Sequence, residues 1–543
     1  MNHTIFSIKE PANEPILSYA PGSPERELLK KELERMSKEQ MEVPVIIGGK
    51  EYFTGDKGKL IMPHDHNHVM GTWHKANEEL INLAFNTALE AKREWETTPW
   101  PERASINLRA AELIHHKYRY ILNAATMLNQ SKSVHQAEID SACELADFLR
   151  FNPYFMSIIY NEQPHSAKGT INRLGYRPLE GFVFAVSPFN FTSIAGNLST
   201  APAVMGNVVV WKPASTAVLV GYYLMRLFKE AGFPDGVINF IPGSGGKVAE
   251  PILNNYHLAG IHFTGSTGVF QGIWKKIGNN IEKYRTYPRI VGETGGKNFV
   301  MVHASSDPAE VAAGIVRGAF EYQGQKCSAA SRAYIPTSLW PRLKALLEEM
   351  IGEIKIGDPM DFRNFMNAVI DEDSFDKIMD YIKKAEEDTD TEIIMGGKGN
   401  KRVGYFIEPT VLLTKNPHFI TMEEEIFGPV ITLYLYDEKK FEETLHLCNE
   451  TSPYGLTGAI FARDRAAILK AGDILRHAAG NFYVNDKPTG AVVGEQPFGG
   501  GRSSGTNDKA GSHINLHRWT SPRTIKENFY PPTDFKYPFM ETE

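Results

Sequence analysis

Residues Gly181–Lys212 read "GFVFAVSPFNFTSIAGNLSTAPAVMGNVVVWK" and hold a strand, a helix and a second strand in one uninterrupted run. "GFVFAVS" is short, apolar and bounded by Gly and Ser-Pro, the composition of a strand buried on both faces. "TSIAGNLSTAPAVM" suits a covering helix, and "NVVVWK" returns as a strand. The alternation continues through the helix "STAVLVGYYLMRLFKEAGF", the strand "GVINFIP", the helix "KVAEPILNN", the strand "GIHFTG" and the helix "TGVFQGIWKKI". A parallel sheet covered on both faces follows, an α/β architecture of the nucleotide-binding type.

A second βα series starts at "KNFVMVH" and runs through "PAEVAAGIVRGAFEY", "SRAYIP" and "SLWPRLKALLEEMI" to "GPVITLYLY". Upstream, "GSPERELLKKELERM" predicts a helix with Ser23 as N-cap, Pro24 at the first helical position and an apolar stripe of Leu28, Leu29, Leu33 and Met36. Further helices are expected over "NEELINLAFNTALEAKREWE", "ERASINLRAAELIHHKYRYILNAATMLNQ" and "HQAEIDSACELADFLRF". "KKAEEDTDTE" reads as a charged surface loop, and "KGTINRLGYRPLEG" as an extended excursion from the first domain. The tail "YPPTDFKYPFMETE" is rich in Pro and aromatics, as expected of a segment lying along a surface.

The chain has 543 residues, too many for one core, with a hydrophobic fraction of 42% and a charged fraction of 23%. A net charge of −7 argues against nucleic acid as a main partner. No apolar run reaches the ~18 residues of a membrane span. Three cysteines cannot build a disulfide framework, and "MNHTIFSIKEPANEP" has neither a signal-peptide nor a transit-peptide pattern. A reducing compartment is expected: the cytoplasm, with the mitochondrial matrix as the alternative.

Cys143 and Cys448 lie in amphipathic helical contexts, where a thiol serves as a small hydrophobe. Cys327 instead sits in "EYQGQKCSAASR", among small polar residues that let a substrate approach, and backbone N–H groups or a cation there would lower its pKa. Glu293 in "VGETGGKNF" is either a general base between glycines or a turn carboxylate pairing with Lys297. Asn190 in "SPFNFT" follows a strand and is either an oxyanion donor or a helix N-cap. "GSGGKVAE" lacks the P-loop pattern, and "HDHNH" (His64, His66, His68) has no partner pair at zinc-site spacing, so no metal is expected and the histidines read as a solvated loop. There is no GxGxxG fingerprint.

In order, "SPFNF", "WKPAS", "FTGST", "GETGGKN", "GQKCSAASR", "EEIFGPV" and "QPFGGGRSSG" resemble the aldehyde dehydrogenase superfamily over essentially the whole chain. Within it, "YAPGSPER", "QAEIDSACELADFLRFN", "FEYQGQKCSA" and "TGAVVGEQPFGGGRSSGTNDKAG" look like the branch that oxidises L-glutamate γ-semialdehyde to glutamate in proline catabolism. The resemblance implies a Rossmann-type NAD-binding domain (1–163 and 181–294), an α/β catalytic domain (295–495), and a small β oligomerisation flap with C-terminal tail (164–180 and 510–543). Cys327 is then the nucleophile, Glu293 the base and Asn190 the oxyanion donor. NAD is the implied cofactor, held by Lys212, Ser215, Ser266, Glu425 and Phe427. Many NAD-preferring members carry a glutamate where Ser215 stands, and serine does not repel the 2′-phosphate of NADP. Substrate would meet Ser328, an anchor loop at Gly490 and Ala491, and aromatic walls of Phe191 and Phe498. Ala491 departs from the serine common in that branch, which implies weaker anchoring. A homodimer and a proline dehydrogenase are the implied partners. Rival readings are a dehydrogenase of another short semialdehyde, such as succinate semialdehyde, a cofactor-free cysteine hydrolase, and a retired enzyme serving as a scaffold.

Overall fold

The computed structural model describes residues 7–542. Two seven-stranded sheets organise it. The first runs, edge to edge, Arg289–Glu293, Leu258–Thr264, Phe182–Val186, Val209–Lys212, Ile238–Phe240, Val45–Ile47 and Lys50–Tyr52. Its first five strands are parallel, and the last two join antiparallel. Val183, Val209, Val210 and Ile261 are fully buried, because helices cover both faces. Gly181 begins this sheet with φ 145°, and a Cβ there would lie 2.1 Å from the His257 carbonyl oxygen, so only glycine lets the strands approach.

The second sheet runs Thr391–Met395, Thr410–Thr414, Val430–Tyr436, Ala330–Pro336, Asn298–Val302, Thr457–Phe461 and Asn481–Val484, parallel except for its first strand. Only four residues, Thr294–Lys297, separate the edge strand Arg289–Glu293 of the first sheet from the interior strand Asn298–Val302 of the second. Leu516 and Trp519 return to the core of the first sheet.

Several local expectations need correction. Residues 41–74, left unread in the sequence, form strands: a three-stranded sheet of Met41–Val43, Asp65–His74 and Lys57–Met62, plus the two that extend the first sheet. All but Asp65–His74 have six residues or fewer, and charged or polar residues hide the alternation. The His64–His68 segment is no solvated loop: His64 is buried, His66 stacks on Tyr405, and no metal-holding cluster occurs among the described residues. In "KKAEEDTDTE" the helix Glu372–Glu387 extends through the first half, and a strand starts at Thr391. Leu28 points outward while Leu29, Leu33 and Met36 are buried. Two long helical stretches are interrupted by π-turns at Ile114–Tyr118 and Glu138–Glu144. The extended excursion is a strand, Thr170–Arg177, that pairs antiparallel with Ser521–Asn528 in a two-stranded ribbon. No helix among the described residues is long and apolar enough to cross a membrane.

Candidate active site

A cleft of about 790 Å³ opens at the carboxyl ends of Phe182–Val186 and Leu258–Thr264, where chain order reverses in the first sheet. This is where open α/β sheets bind ligands. Asn190, Thr294 and Cys327 line one end, and Lys212, Ala214, Gly245, Gly246 and Ser266 line the other.

Cys327 sits on a loop that the surrounding protein forces into shape. After the helix Pro308–Phe320, residues Tyr322, Gln323 and Gly324 take φ of 52°, 55° and 67° in succession. A left-handed turn costs a non-glycine residue about 1–2 kcal/mol, so something must hold it. Gln323 does so: its Nε2 donates to the carbonyls of Ser131 (3.0 Å) and Ala368 (2.8 Å), and its Oε1 accepts from Asn367 N (3.0 Å). Asn298 Nδ2 donates to the Cys327 carbonyl at 2.7 Å. Lys326 and Lys487 both reach Glu321, at 3.0 and 2.9 Å. Burial opposes ionisation of Glu321, but the two ammoniums outweigh it and hold the carboxyl down at about 2.

The expectation of a lowered thiol pKa is overturned. Cys327 is half-buried, and burial, followed by the negative charges of Glu293 and Glu425, pushes its thiol well up. The shift favours the neutral thiol over the thiolate. Cys448 is buried in an apolar cluster, as a filler role requires; Cys143 is also buried, but against Arg119, Glu138 and the Pro15 carbonyl, each 3.7 Å from its sulfur, so it is no simple hydrophobic filler.

Asn190 is no N-cap: Phe191 holds that position, and the helix N–H groups of Thr192 and Ser193 are taken by the Asp140 carboxylate at 2.9 and 2.8 Å. The Asn190 amide donates to the Gln325 carbonyl at 3.0 Å. Glu293 ends its strand and lies just behind the cleft wall, not in a turn. It does not pair with Lys297, whose Nζ is buried without a hydrogen-bond partner, as is Glu293 Oε2. Burial pushes the Glu293 carboxyl well above its ordinary range.

The far end of the cleft suits a dinucleotide. Lys212 is buried, and its ammonium donates only to the neighbouring Pro213 carbonyl (2.9 Å), so burial pulls it down to about 8. A cation without an anionic partner is poised for an external one. Ser266 caps the helix Thr267–Asn279 by position but without a side-chain bond, leaving helix N–H groups at the cleft. A Cβ on Gly245, Gly246 or Gly268 would meet nothing within 4 Å, which leaves room for a ligand along the backbone. Glu425 Oε1 accepts from Gly296 N (2.8 Å), and Phe427, at φ 63°, packs edge-on against Phe189.

Residues 53–525 match the aldehyde dehydrogenase family. The chain is 55% identical over 537 residues to the mitochondrial Δ1-pyrroline-5-carboxylate dehydrogenase of Dictyostelium discoideum, covering 98% of this chain and 96% of that one.

The chain belongs to the aldehyde dehydrogenase family.

Its fold superposes with a TM-score of 0.96 on the Δ-pyrroline-5-carboxylate dehydrogenase of Mycobacterium tuberculosis bound with NAD, at 49% identity with both chains fully covered. Proline utilization A of Bdellovibrio bacteriovorus matches at 30% identity and a TM-score of 0.90, covering 97% of this chain but 54% of that longer one.

In this aldehyde dehydrogenase the expected site residues are not all in one place. Lys212, Ser266, Glu425, Phe427, Asn190 and Cys327 line the cleft, but Ser215 is exposed and outside its wall. Ser328, Gly490, Ala491, Phe191 and Phe498 also lie outside that wall. Ser328 Oγ is bonded to Thr489 Oγ1 (2.7 Å), which ties the residue after the nucleophile to the loop that begins at Gly490. Phe191 faces the Lys132 ammonium, 4.1 Å from its ring centre. Lys132 in turn pairs with Asp140 at 2.7 Å, both buried. Sequence reading missed Lys132, Asp140, Thr489 and Gln323. Only their three-dimensional convergence on Cys327 and Asn190 marks them.

Proposed function

We propose that this aldehyde dehydrogenase oxidises L-glutamate γ-semialdehyde, the open form of 1-pyrroline-5-carboxylate, to L-glutamate with NAD. The observation that carries the reading is the shared end of the cleft. There the Asn190 amide sits on the Gln325 carbonyl at 3.0 Å, two residues before Cys327.

The Cys327 sulfur attacks the aldehyde carbon as its proton leaves, and a C–S bond forms. The oxyanion takes hydrogen bonds from the Asn190 amide and the Cys327 backbone N–H. Lys212, Ser266, Glu425 and Phe427, with Ser215 beyond the cleft wall, would hold NAD, which would supply the acceptor for the hydride that the carbon loses. Glu293, its basicity raised by burial, then takes a proton from water, which attacks the Cys327 thioester. The C–S bond breaks, the sulfur recovers a proton, and glutamate leaves. Aldehyde, NAD and water thus become carboxylate, NADH and protons. Ser328, Gly490 and Ala491 bind the amino-acid head, and Phe191 and Phe498 flank the aliphatic stem.

We further assign 1–163 and 181–294 to the NAD-binding domain, 295–495 to the catalytic domain, and 164–180 with 510–543 to the flap and tail. Phe529, Tyr530, Phe535, Tyr537 and Phe539 are exposed along that tail, which supports a homodimer that covers them. Light scattering that finds only monomer removes this part. The mitochondrial name of the Dictyostelium relative favours the matrix over the cytoplasm. A proline dehydrogenase as the supplier of substrate is supported by the longer chain named for proline utilization.

The test is NADH formation at 340 nm with pyrroline-5-carboxylate and with each nicotinamide cofactor. Equal kcat/KM for succinate semialdehyde would overturn the substrate assignment. Turnover of the aldehyde without NAD would overturn the reaction.

A further inference from the structure

The segment Ser503–Lys509 closes the outer edge of the strand that carries Glu293. Thr294 N donates to the Ser504 carbonyl (2.9 Å), Thr506 N to the Gly292 carbonyl (2.9 Å), and Gly292 N to Thr506 Oγ1 (3.0 Å). Asn507 and Lys509 then turn through φ of 55° and 51°. These are strained values for side-chain-bearing residues, held here because Phe498 and Ala510 exchange backbone hydrogen bonds at 2.9 and 2.8 Å. The turn sends the Lys509 side chain back towards the glycines of "PFGGG". Its ammonium donates to the carbonyls of Gly480 (2.8 Å) and Gly499 (3.0 Å) and to Asn481 Oδ1 (3.4 Å), all neutral oxygens.

Gly499 is the shared wall. A Cβ on it would lie 3.0 Å from Glu293 Oε1 and 3.2 Å from Lys509 N. The charged and titratable groups facing Glu293 are Lys509 and Asp508 from this segment and the Cys327 thiol from the nucleophile loop, with the Gly500 N–H beside them. Asp508 is itself occupied by Arg518 (3.3 Å) and by the Thr506 hydroxyl.

We propose that Lys509 is the positioning residue of the base: its ammonium pins the Gly499 backbone against which the Glu293 carboxylate rests, and its charge stabilises that carboxylate in the ionised state that water activation needs. The inference rests on the reading of Glu293 as base. Burial drives the carboxyl towards the neutral acid, and Lys509 is what opposes it most. Without that charge the ionised form of Glu293 would be less favoured and less of it would be ready to take a proton from water.

The experiment compares pH profiles of kcat for wild type, Lys509→Met, Lys509→Arg and Glu293→Gln, with propanal as a non-cyclising aldehyde and NAD. Pre-steady-state NADH bursts separate acylation from deacylation. Lys509→Met is expected to move the acidic limb up by about one pH unit and to slow steady turnover about tenfold at neutral pH. The burst of one NADH per site should remain. Lys509→Arg should restore the limb to near its wild-type position, which a purely structural role would not require. Thermal unfolding and NAD binding report folding. Should Lys509→Met not fold, Lys509→Gln, which keeps a donor for the Gly499 carbonyl without the charge, carries the same test. An acidic limb that disappears in Glu293→Gln but stays put in Lys509→Met overturns this inference alone. A limb that persists in Glu293→Gln overturns the base assignment beneath it.

Discussion

Asn190 Nδ2 donates to the carbonyl oxygen of Gln325 at 3.0 Å, a bond from the carboxyl end of the first sheet to the loop that carries Cys327 on the second. One amide hydrogen is thereby spent on alignment, and the other stays available to an oxyanion. The Asn190 amide and the Cys327 loop are thus set relative to each other before any ligand arrives, and in the proposed reaction such preorganisation is where a hydrogen bond contributes most to a transition state.

Asn190→Ala should therefore lower kcat by about 10²–10³-fold, the usual effect of deleting one oxyanion donor. NAD affinity should hold, since the cofactor end of the cleft is built from other residues. Steady-state kinetics beside cofactor titration reads both. A change in NAD affinity as large as that in kcat would mean that Asn190 shapes the whole cleft.

The thiol makes a second prediction. Burial and two facing carboxylates push the Cys327 pKa up, so the reactive thiolate grows with pH without levelling off near neutrality. Alkylation by iodoacetamide in the absence of aldehyde should keep accelerating up to at least pH ~9. It should stop at one label per chain, because Cys143 and Cys448 are buried. Mass spectrometry counts the labels, and residual activity follows the rate. A plateau below neutrality would show a thiolate already formed at rest.

Much of this was legible in the residues. The first sheet announced itself because fully buried parallel strands read as unbroken apolar runs, such as Phe182–Val186 and Val209–Trp211. Cys327 was legible through its small neighbours, and Asn190 through its place after a strand. Hidden were features that depend on long-range convergence. The raised thiol pKa comes first from burial in the folded chain and then from Glu293 and Glu425, both distant in sequence. Gln323 clamps the nucleophile loop through Ser131 and Ala368. The exposure of Ser215, outside the cleft wall, was not legible, because "WKPAS" marks the strand end but not how the following turn is covered. The strands between residues 41 and 74 were missed because four of them have six residues or fewer, three of those carry Lys or Glu on exposed positions, and His and other polar residues blur the alternation of the longer Asp65–His74.

Glu293 should contribute to stability with an unusual sign. Its carboxyl, raised by burial, holds a proton more readily in the folded chain than in the unfolded one. That preference favours folding fully below the ordinary carboxylate pKa, and it is lost as pH rises through the raised folded value. Glu293→Gln, which keeps the shape without the charge, should thus be more stable than wild type at pH 7–8, by about 1–3 kcal/mol. The gain should vanish towards pH 4, while steady turnover is lost. Thermal melts across pH measure it; a gain that is constant with pH would place its origin in packing instead of charge.

Lys212 sets function against stability in the same way, with the opposite charge. Its ammonium is buried beside the cofactor end of the cleft and bonds only to the Pro213 carbonyl, so burial pulls it from 10.5 to about 8. A lysine depressed in the folded chain weakens folding as pH falls through that folded value, and the penalty is absent above the unfolded one. At about 1.4 kcal/mol per pH unit, the penalty at neutral pH is roughly 3 kcal/mol. Lys212→Met should remove it, so the ligand-free variant should melt higher than wild type at pH 7 but not at pH 10.5. The same substitution should weaken NAD by about tenfold or more, since the cation that waits for an external partner is gone. Differential scanning calorimetry with and without NAD gives both numbers. If Lys212→Met melts lower at pH 7, the ammonium is held by more than the Pro213 carbonyl, and the poised-cation account of the cleft fails.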